Sequence, residues 1–345
     1  MRRSRAAVAT AILTILALLP LAVAPVAAGS GSDRAERAER ARVMAYWTAE
    51  RVANAKPRDF VRSANGTFSP KAKPSNPGKP GGGGGGSTGA VTGASWTKGG
   101  AINARSGKVL FTMGGSQYVC SAAVVADTRT SNSLVVTAAH CAYDEVAKQH
   151  ASNWMFVPDF DASPTFTCGS TKYGCWTAVG LVVHNGYATA GGFNTQATVH
   201  DYAVAIVAGG GKTTTSTQQL DSTVGGAFAI GYPAASTGDR IYAFGYPAAG
   251  KYKGKDLVYC AGNTFNDTNN SNLTWGIACN MTGGSSGGPW LASFTESTGI
   301  GTLTSLNSYG YSGLSNMYGP KFDSKTQAVW TLANSSTSNG IATGG

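Results

Sequence analysis

Charge is scarce in this chain. Lys, Arg, Asp and Glu together make up 13% of its 345 residues, about half the share usual in a soluble domain. The formal net charge of +10 would suit a phosphate-rich partner, but its distribution does not. Residues 1–80 hold 14 Lys and Arg against 5 Asp and Glu, whereas residues 81–345 hold 13 against 12. A groove that follows phosphates needs clustered cations on the folded part, so no nucleic-acid partner is expected. Metal-binding spacings are absent as well: there is no Cys-x-x-Cys, and the four histidines form no His-x-x-x-His pair. No metal catalysis and no cofactor are expected. Oxygen ligands of a structural calcium leave little sequence trace, so that question stays open. Beyond the first 28 residues no apolar run could span a bilayer. From about residue 90 on, no long helical periodicity appears before about residue 324.

The N-terminus has a basic start (Arg2, Arg3, Arg5), an apolar stretch over 6–24 and small residues at Val26-Ala27-Ala28. That order reads as a secretory signal over residues 1–28. An uncleaved anchor is the weaker alternative, because Pro20 and Pro25 interrupt the run. Residues 33–62 open on a charged, Ala-rich stretch in which Glu36 precedes Arg40 by four, a spacing that supports a helix. Met44, Tyr46, Trp47 and Val52 follow and give it an apolar face to dock. A pro-segment and a solvated tether both fit. Pro70, Pro74, Pro77 and Pro80, then six glycines from Gly81 to Gly86, make a linker that cannot bury enough apolar surface to fold. The expected organisation is signal 1–28, pro-segment and linker 29–89, and one domain over 90–345.

Within that domain short apolar runs alternate with Gly, Asn, Ser, Thr and Pro clusters. Val109–Thr112, Ser133–Thr137, Tyr202–Val207 and Arg240–Phe244 are β-branched or aromatic. Such texture predicts an all-β fold, a barrel or a sandwich. Six cysteines, an even number, suit an oxidising compartment.

Two strings carry chemistry. Gly283-Gly284-Ser285-Ser286-Gly287-Gly288-Pro289 sets a serine among glycines. A hydroxyl nucleophile needs such a tight turn, with backbone N–H groups aimed at the developing oxyanion. An ordinary Gly/Ser turn is the bland alternative. The string also matches Gly-x-Ser-x-Gly, but that elbow takes its histidine downstream. His140, His150, His184 and His200 all precede Ser286. The second string, Thr137-Ala138-Ala139-His140-Cys141, ends a β-rich run on a histidine and a cysteine.

Together these strings resemble the trypsin/chymotrypsin superfamily over roughly residues 100–335. His140, Asp201 and Ser286 stand in its order of base, acid and nucleophile. Asp201 lies just before an apolar strand, as the family's acid does; Asp144, Asp159 and Asp161 do not. The resemblance implies two six-stranded antiparallel β-barrels with the site in the cleft between them, and a short C-terminal helix. It implies an oxyanion hole from the amides of Gly284 and Ser286, and a bridge between Cys120 and Cys141. Cys168 is then expected to pair locally with Cys175, which leaves Cys260 for Cys279. The pocket floor falls at Asn280 beside Met281, and its wall at Ser308-Tyr309-Gly310. No carboxylate sits at the floor, and Asn307 stands where glutamate-specific relatives place a histidine, so a neutral, partly apolar pocket is expected. Ser285 replaces the aspartate that binds a new N-terminus in the animal enzymes, which argues against that route of activation. The implied function is a secreted, monomeric serine endopeptidase acting on proteins or peptides, with no membrane attachment after signal cleavage. A non-catalytic binding module on the same fold and a serine esterase are the alternatives.

Overall fold

The structure, a computed structural model, describes residues 31–70, 89–161 and 165–345. The signal expected at 1–28 and the linker over 71–88 lie outside the described residues. Among the described residues no helix is long and apolar enough to cross a membrane.

The first half of the domain closes on itself. Its strands are β5 (Ser106–Met113), β6 (Ser116–Val125), β7 (Ser133–Thr137), β8 (Ser152–Pro158), β9 (Trp176–His184) and β10 (Ala203–Val207). They pair antiparallel in the order β6-β5-β8-β9-β10-β7, and β7 returns to β6, so the ring has no free edge. Val109, Phe111, Phe156, Trp176 and Ile206 are fully buried in its core. β7 and β10 are buried along their whole length, because elements cover the ring from outside as well. One such cover is the C-terminal helix α2 (Ser324–Ser335), which packs on β9 and β10. Asp323 caps it by accepting from the amides of Lys325 and Thr326.

The second half pairs as two sheets rather than one ring. One joins β4 (Val91–Ser95), β11 (Arg240–Gly245), β12 (Val258–Asn263), β14 (Pro289–Thr295) and β15 (Ile300–Leu306), with the short strand Ala229–Ile230 at its edge. The other joins β13 (Thr274–Ala278), β16 (Tyr309–Tyr311) and β17 (Asn316–Pro320) to the short strand Phe265–Asn266. Ile241, Ile277, Trp290 and Met317 form a smaller core around the Cys260–Cys279 bridge. Cys120–Cys141 and Cys168–Cys175 are the other disulfides, and no described cysteine is free. The Cys120–Cys141 link closes a loop of 21 residues, a constraint worth on the order of 3 kcal/mol in the chain-entropy account.

Residues 31–70 pack against both halves. Helix α1 (Gly31–Tyr46) buries Arg40 and Val43 on the first ring, and Trp47 follows it into the same core. The spacing of Glu36 and Arg40 predicts a pair along the helix. Arg40 instead turns inward and donates to the carbonyls of Gly209 at 2.5 Å and Thr214 at 2.9 Å. Trp47 Nε1 donates to the Asn153 carbonyl at 2.7 Å. Then β1 (Lys56–Pro57) adds parallel to β6, and β2 (Phe60–Arg62) adds parallel to β16, with β3 (Phe68–Pro70) outside it.

Candidate active site

Register brings the histidine and the aspartate together. β7 and β10 run antiparallel with Thr137 opposite Ala203, so the end of one strand lies beside the start of the other. His140 follows Thr137 on a single 3-10 turn held by the Cys120–Cys141 bridge, and Asp201 precedes Ala203. Both side chains are fully buried. Asp201 Oδ2 lies 2.8 Å from His140 Nδ1, and Oδ1 accepts from the His140 amide at 2.9 Å. Ser308 Oγ donates to the same Oδ2 at 2.5 Å. A carboxylate on Nδ1 fixes the tautomer with Nδ1–H and leaves Nε2 as the proton acceptor. Two of the three rival carboxylates are occupied elsewhere: Asp144 accepts from the amides of Val146 and Ala147, and Asp159 pairs with Lys172 at 2.8 Å.

The glycine loop presents Ser286 at the junction of the halves. Gly284 has φ +94°, and a Cβ there would come within 2.9 Å of the Ala248 Cβ and 3.0 Å of the Tyr246 carbonyl. Gly287 has φ +80°, and a Cβ would collide with Thr137 and the Ser121 carbonyl. Only glycine therefore lets the loop approach this closely. Ser121, beside Cys120, ties it to the first ring. Its amide donates to the Ser286 carbonyl at 2.7 Å, and its hydroxyl donates to the Gly284 carbonyl at 2.8 Å. Asn307 ties the loop to the second half by donating to the carbonyls of Phe244 and Ser285 at 2.7 and 3.0 Å. Asn307 is wholly buried, so this position supports the loop and does not line the pocket. Ser285 donates to the Thr282 carbonyl at 2.8 Å.

Residues 31–70, the leader that precedes the domain, enter this site. Asp59 Oδ1 accepts from Ser286 Oγ at 3.1 Å and from the Gly284 amide at 3.3 Å. His140 Nε2 is buried and has no hydrogen-bond partner among the described residues. Phe60 stands edge-on to the His140 ring at 5.5 Å and stacks on Phe193 at 4.0 Å with an interplanar angle of 2°. Arg58 donates to the His140 carbonyl and meets the buried Glu145 carboxylate at 3.4 Å. Burial works against the Arg58 charge, but Tyr187 and Glu145 outweigh it and hold the guanidinium above its usual range. Sequence reasoning finds none of Asp59, Phe60, Phe193 and Glu145, since no motif surrounds them. It finds Ser308 as pocket wall, but not its bond to Asp201.

A cavity of about 350 Å³ opens beside Ser286. Asn280, Met281, Ser308, Tyr309 and Gly310 all line it, with Met317 added. Among the described residues, the only charged side chain on its wall is Asp59, from the leader. Asn280 Oδ1 accepts from Tyr252 at 2.6 Å. Behind the wall the phenols of Tyr309 and Tyr311 donate to the buried Asp267 at 2.5 and 2.8 Å. Burial first, then the Asp267 charge, push the Tyr309 phenol well above its usual range, so it stays a donor. The Asp267 charge is thereby satisfied away from the cavity.

No family model matches the sequence, and no curated protein matches it. Solved structures do. The protease Anisep from Arthrobacter nicotinovorans is 37% identical, with 68% of this chain and 96% of that one covered and a TM-score of 0.57. A thermostable serine protease, AL20, from an extremophilic microorganism is 36% identical over 68% of this chain and 99% of that one, with a TM-score of 0.58. A Glu endopeptidase at 18% identity covers 72% of this chain and 99% of its own, with a TM-score of 0.52, and bears on the fold alone.

Proposed function

From the premise that the chain belongs to the bacterial branch of the trypsin/chymotrypsin-like serine protease superfamily, we propose that it is a secreted endopeptidase with Ser286 as nucleophile, His140 as base and Asp201 as the carboxylate that orients it. The observation that carries this reading is the fully buried Asp201–His140 pair at 2.8 Å, with Phe60 against the His140 ring and the adjacent Asp59 on Ser286, a serine on a glycine turn. Ser286 attacks the scissile carbonyl while His140 Nε2 takes its proton. Asp201 holds the tautomer and stabilises the imidazolium, and His140 then protonates the leaving amine. The amides of Gly284 and Ser286 receive the oxyanion, each worth about 3 kcal/mol of transition-state stabilisation. Water, deprotonated by the same histidine, releases the acyl group. Three disulfides fit folding in an oxidising compartment outside the cytosol.

The pocket reading follows from its wall. With the leader's Asp59 set aside, Asn280, Met281, Tyr309, Gly310 and Met317 present no charge, so the residue before the cut is neutral. Fluorophosphonate treatment of the protein as the host releases it, followed by mass spectrometry, is expected to find Ser286 modified and the Ser286→Ala variant untouched. Peptides that vary only in the residue before the cut are expected to favour neutral side chains. A hundredfold preference for Arg would sink the neutral pocket, and a Ser286 that stays unmodified in a folded protein freed of residues 31–70 would sink the catalytic assignment.

A further inference from the structure

We infer that residues 56–62 are a built-in inhibitor of the cleft, a strap that crosses it in the direction opposite to a substrate and sets the Asp59 carboxylate on the nucleophile and an oxyanion donor. The inference rests on the reading of Ser286, His140 and Asp201 as the catalytic set.

Three observations carry it. The first is what Asp59 touches. One carboxylate oxygen takes both the Ser286 hydroxyl, at 3.1 Å, and the Gly284 amide, at 3.3 Å. The amide is the group assigned to the oxyanion of the reaction, and a carboxylate oxygen resembles that oxyanion in shape and charge. The serine proton is directed at Asp59. His140 Nε2, the atom that must receive it, has no partner among the described residues.

The second is how the base is covered. Phe60 lies edge-on to His140 and stacks on Phe193, and Arg58 grips the His140 carbonyl and Glu145 from the other side of Asp59. Residues on both sides of Asp59 are thus held, which keeps its backbone beside Ser286.

The third is direction. The pocket at Asn280 and Tyr309–Gly310 takes the residue before the cut, so a substrate's upstream residues run along that wall. In the strap it is the downstream residues that do: Phe60, Val61 and Arg62 pair parallel with Tyr309, Gly310 and Tyr311, while Lys56 and Pro57 pair with Tyr118 and Val119 on the first ring. Reversal presents Ser286 with a side-chain carboxylate, a poor acceptor for a nucleophile, in place of a peptide carbonyl. The strap therefore blocks without being cut.

The test reads the rate of Ser286 modification by one fluorophosphonate, by mass spectrometry, in three forms of the full chain. The first is intact. The second is intact and carries Asp59→Ala with Phe60→Ala. The third carries a site for an added protease between Pro70 and Val91 and is nicked there and diluted. The intact chain is expected to react at least ~100-fold more slowly than the nicked one, and the double variant at least ~10-fold faster than the intact wild type, as loss of a charge-assisted contact requires. A synthetic peptide of residues 55–70 is expected to inhibit the nicked enzyme, and the same peptide with Asp59→Ala to do so about tenfold more weakly. Equal rates in the intact and nicked forms overturn the strap and leave the catalytic reading standing. Ser286 unmodified in every form, with no form cleaving peptides, overturns the catalytic reading and the strap with it. The peptide arm does not depend on the double variant folding: a peptide that leaves the nicked enzyme uninhibited overturns the strap by itself.

Discussion

At the scale of the residue, Asp201, the proposed acid, is held more tightly than Ser286, the proposed nucleophile. Asp201 accepts from the His140 ring, the His140 amide and Ser308, all while wholly buried. Asp201→Asn keeps the volume but puts a donor against Nδ1, which favours the tautomer with the proton on Nε2. Peptide hydrolysis by the nicked chain is expected to fall by about 10⁴ in kcat with little change in KM. Ser308→Ala removes one of the three bonds and leaves the other two to orient the carboxylate, so a loss of roughly tenfold in kcat is expected. A Ser308→Ala enzyme as fast as wild type would reduce Ser308 to pocket wall. The three positions proposed as the triad stand out in the sequence because each sits in a short string whose chemistry is local: glycines around Ser286, a strand end before His140, an apolar strand after Asp201. Asp59 is not legible for the opposite reason. Two of its partners, Gly284 and Ser286, lie 225 and 227 residues away, and nothing next to it signals either.

Elements are legible where composition alone decides them. The runs over 133–137 and 202–207 read as strands because β-branched residues buried on both faces have few other options. The helix at 31–46 reads from its Ala-rich charges, but its docking face does not, since Arg40 is satisfied by backbone carbonyls that carry no side-chain signature. Lys108 on β5 is a similar case. Its ammonium is buried, donates to the Gly254 carbonyl at 2.7 Å and lies 3.9 Å from the centre of the Phe160 ring. It thereby ties the first ring to a loop of the second half. Burial pulls its pKa down from 10.5 to about 7. The unfolded chain then binds a proton that the folded chain does not between about pH 7 and pH 10.5, so this group's contribution to stability rises with pH across that window and is flat below it. Lys108→Met has no such dependence. In urea unfolding at pH 6 and pH 9, the wild type is expected to gain on the variant by about 2–3 kcal/mol. A gap that stays constant with pH would mean the ammonium remains charged in the fold.

At the scale of the molecule the question is what holds the strap in place. The change of composition over 69–89 is legible, and it separates the leader from the domain along the chain. It does not separate them in space, because α1 and the strap each pack on the domain at a different place. Trp47 is buried with its indole N–H on the Asn153 carbonyl, a contact worth on the order of 2–3 kcal/mol from apolar burial alone. Phe60 lies on the other side of a short connection, stacked on Phe193 in the cleft. Two contacts on one chain reinforce each other, since each keeps the other at high local concentration. Weakening the far contact should therefore release the near one, although Trp47 touches no catalytic group. Trp47→Ala in the intact chain is expected to raise the rate of Ser286 modification by roughly tenfold and to leave the nicked, diluted enzyme unchanged. Phe193→Ala, which removes the stacking partner directly, is expected to raise it further. If Trp47→Ala loosens α1, seen as faster proteolysis of residues 31–46, while the Ser286 rate stays at the intact wild-type value, then the strap holds the cleft without help from the helix.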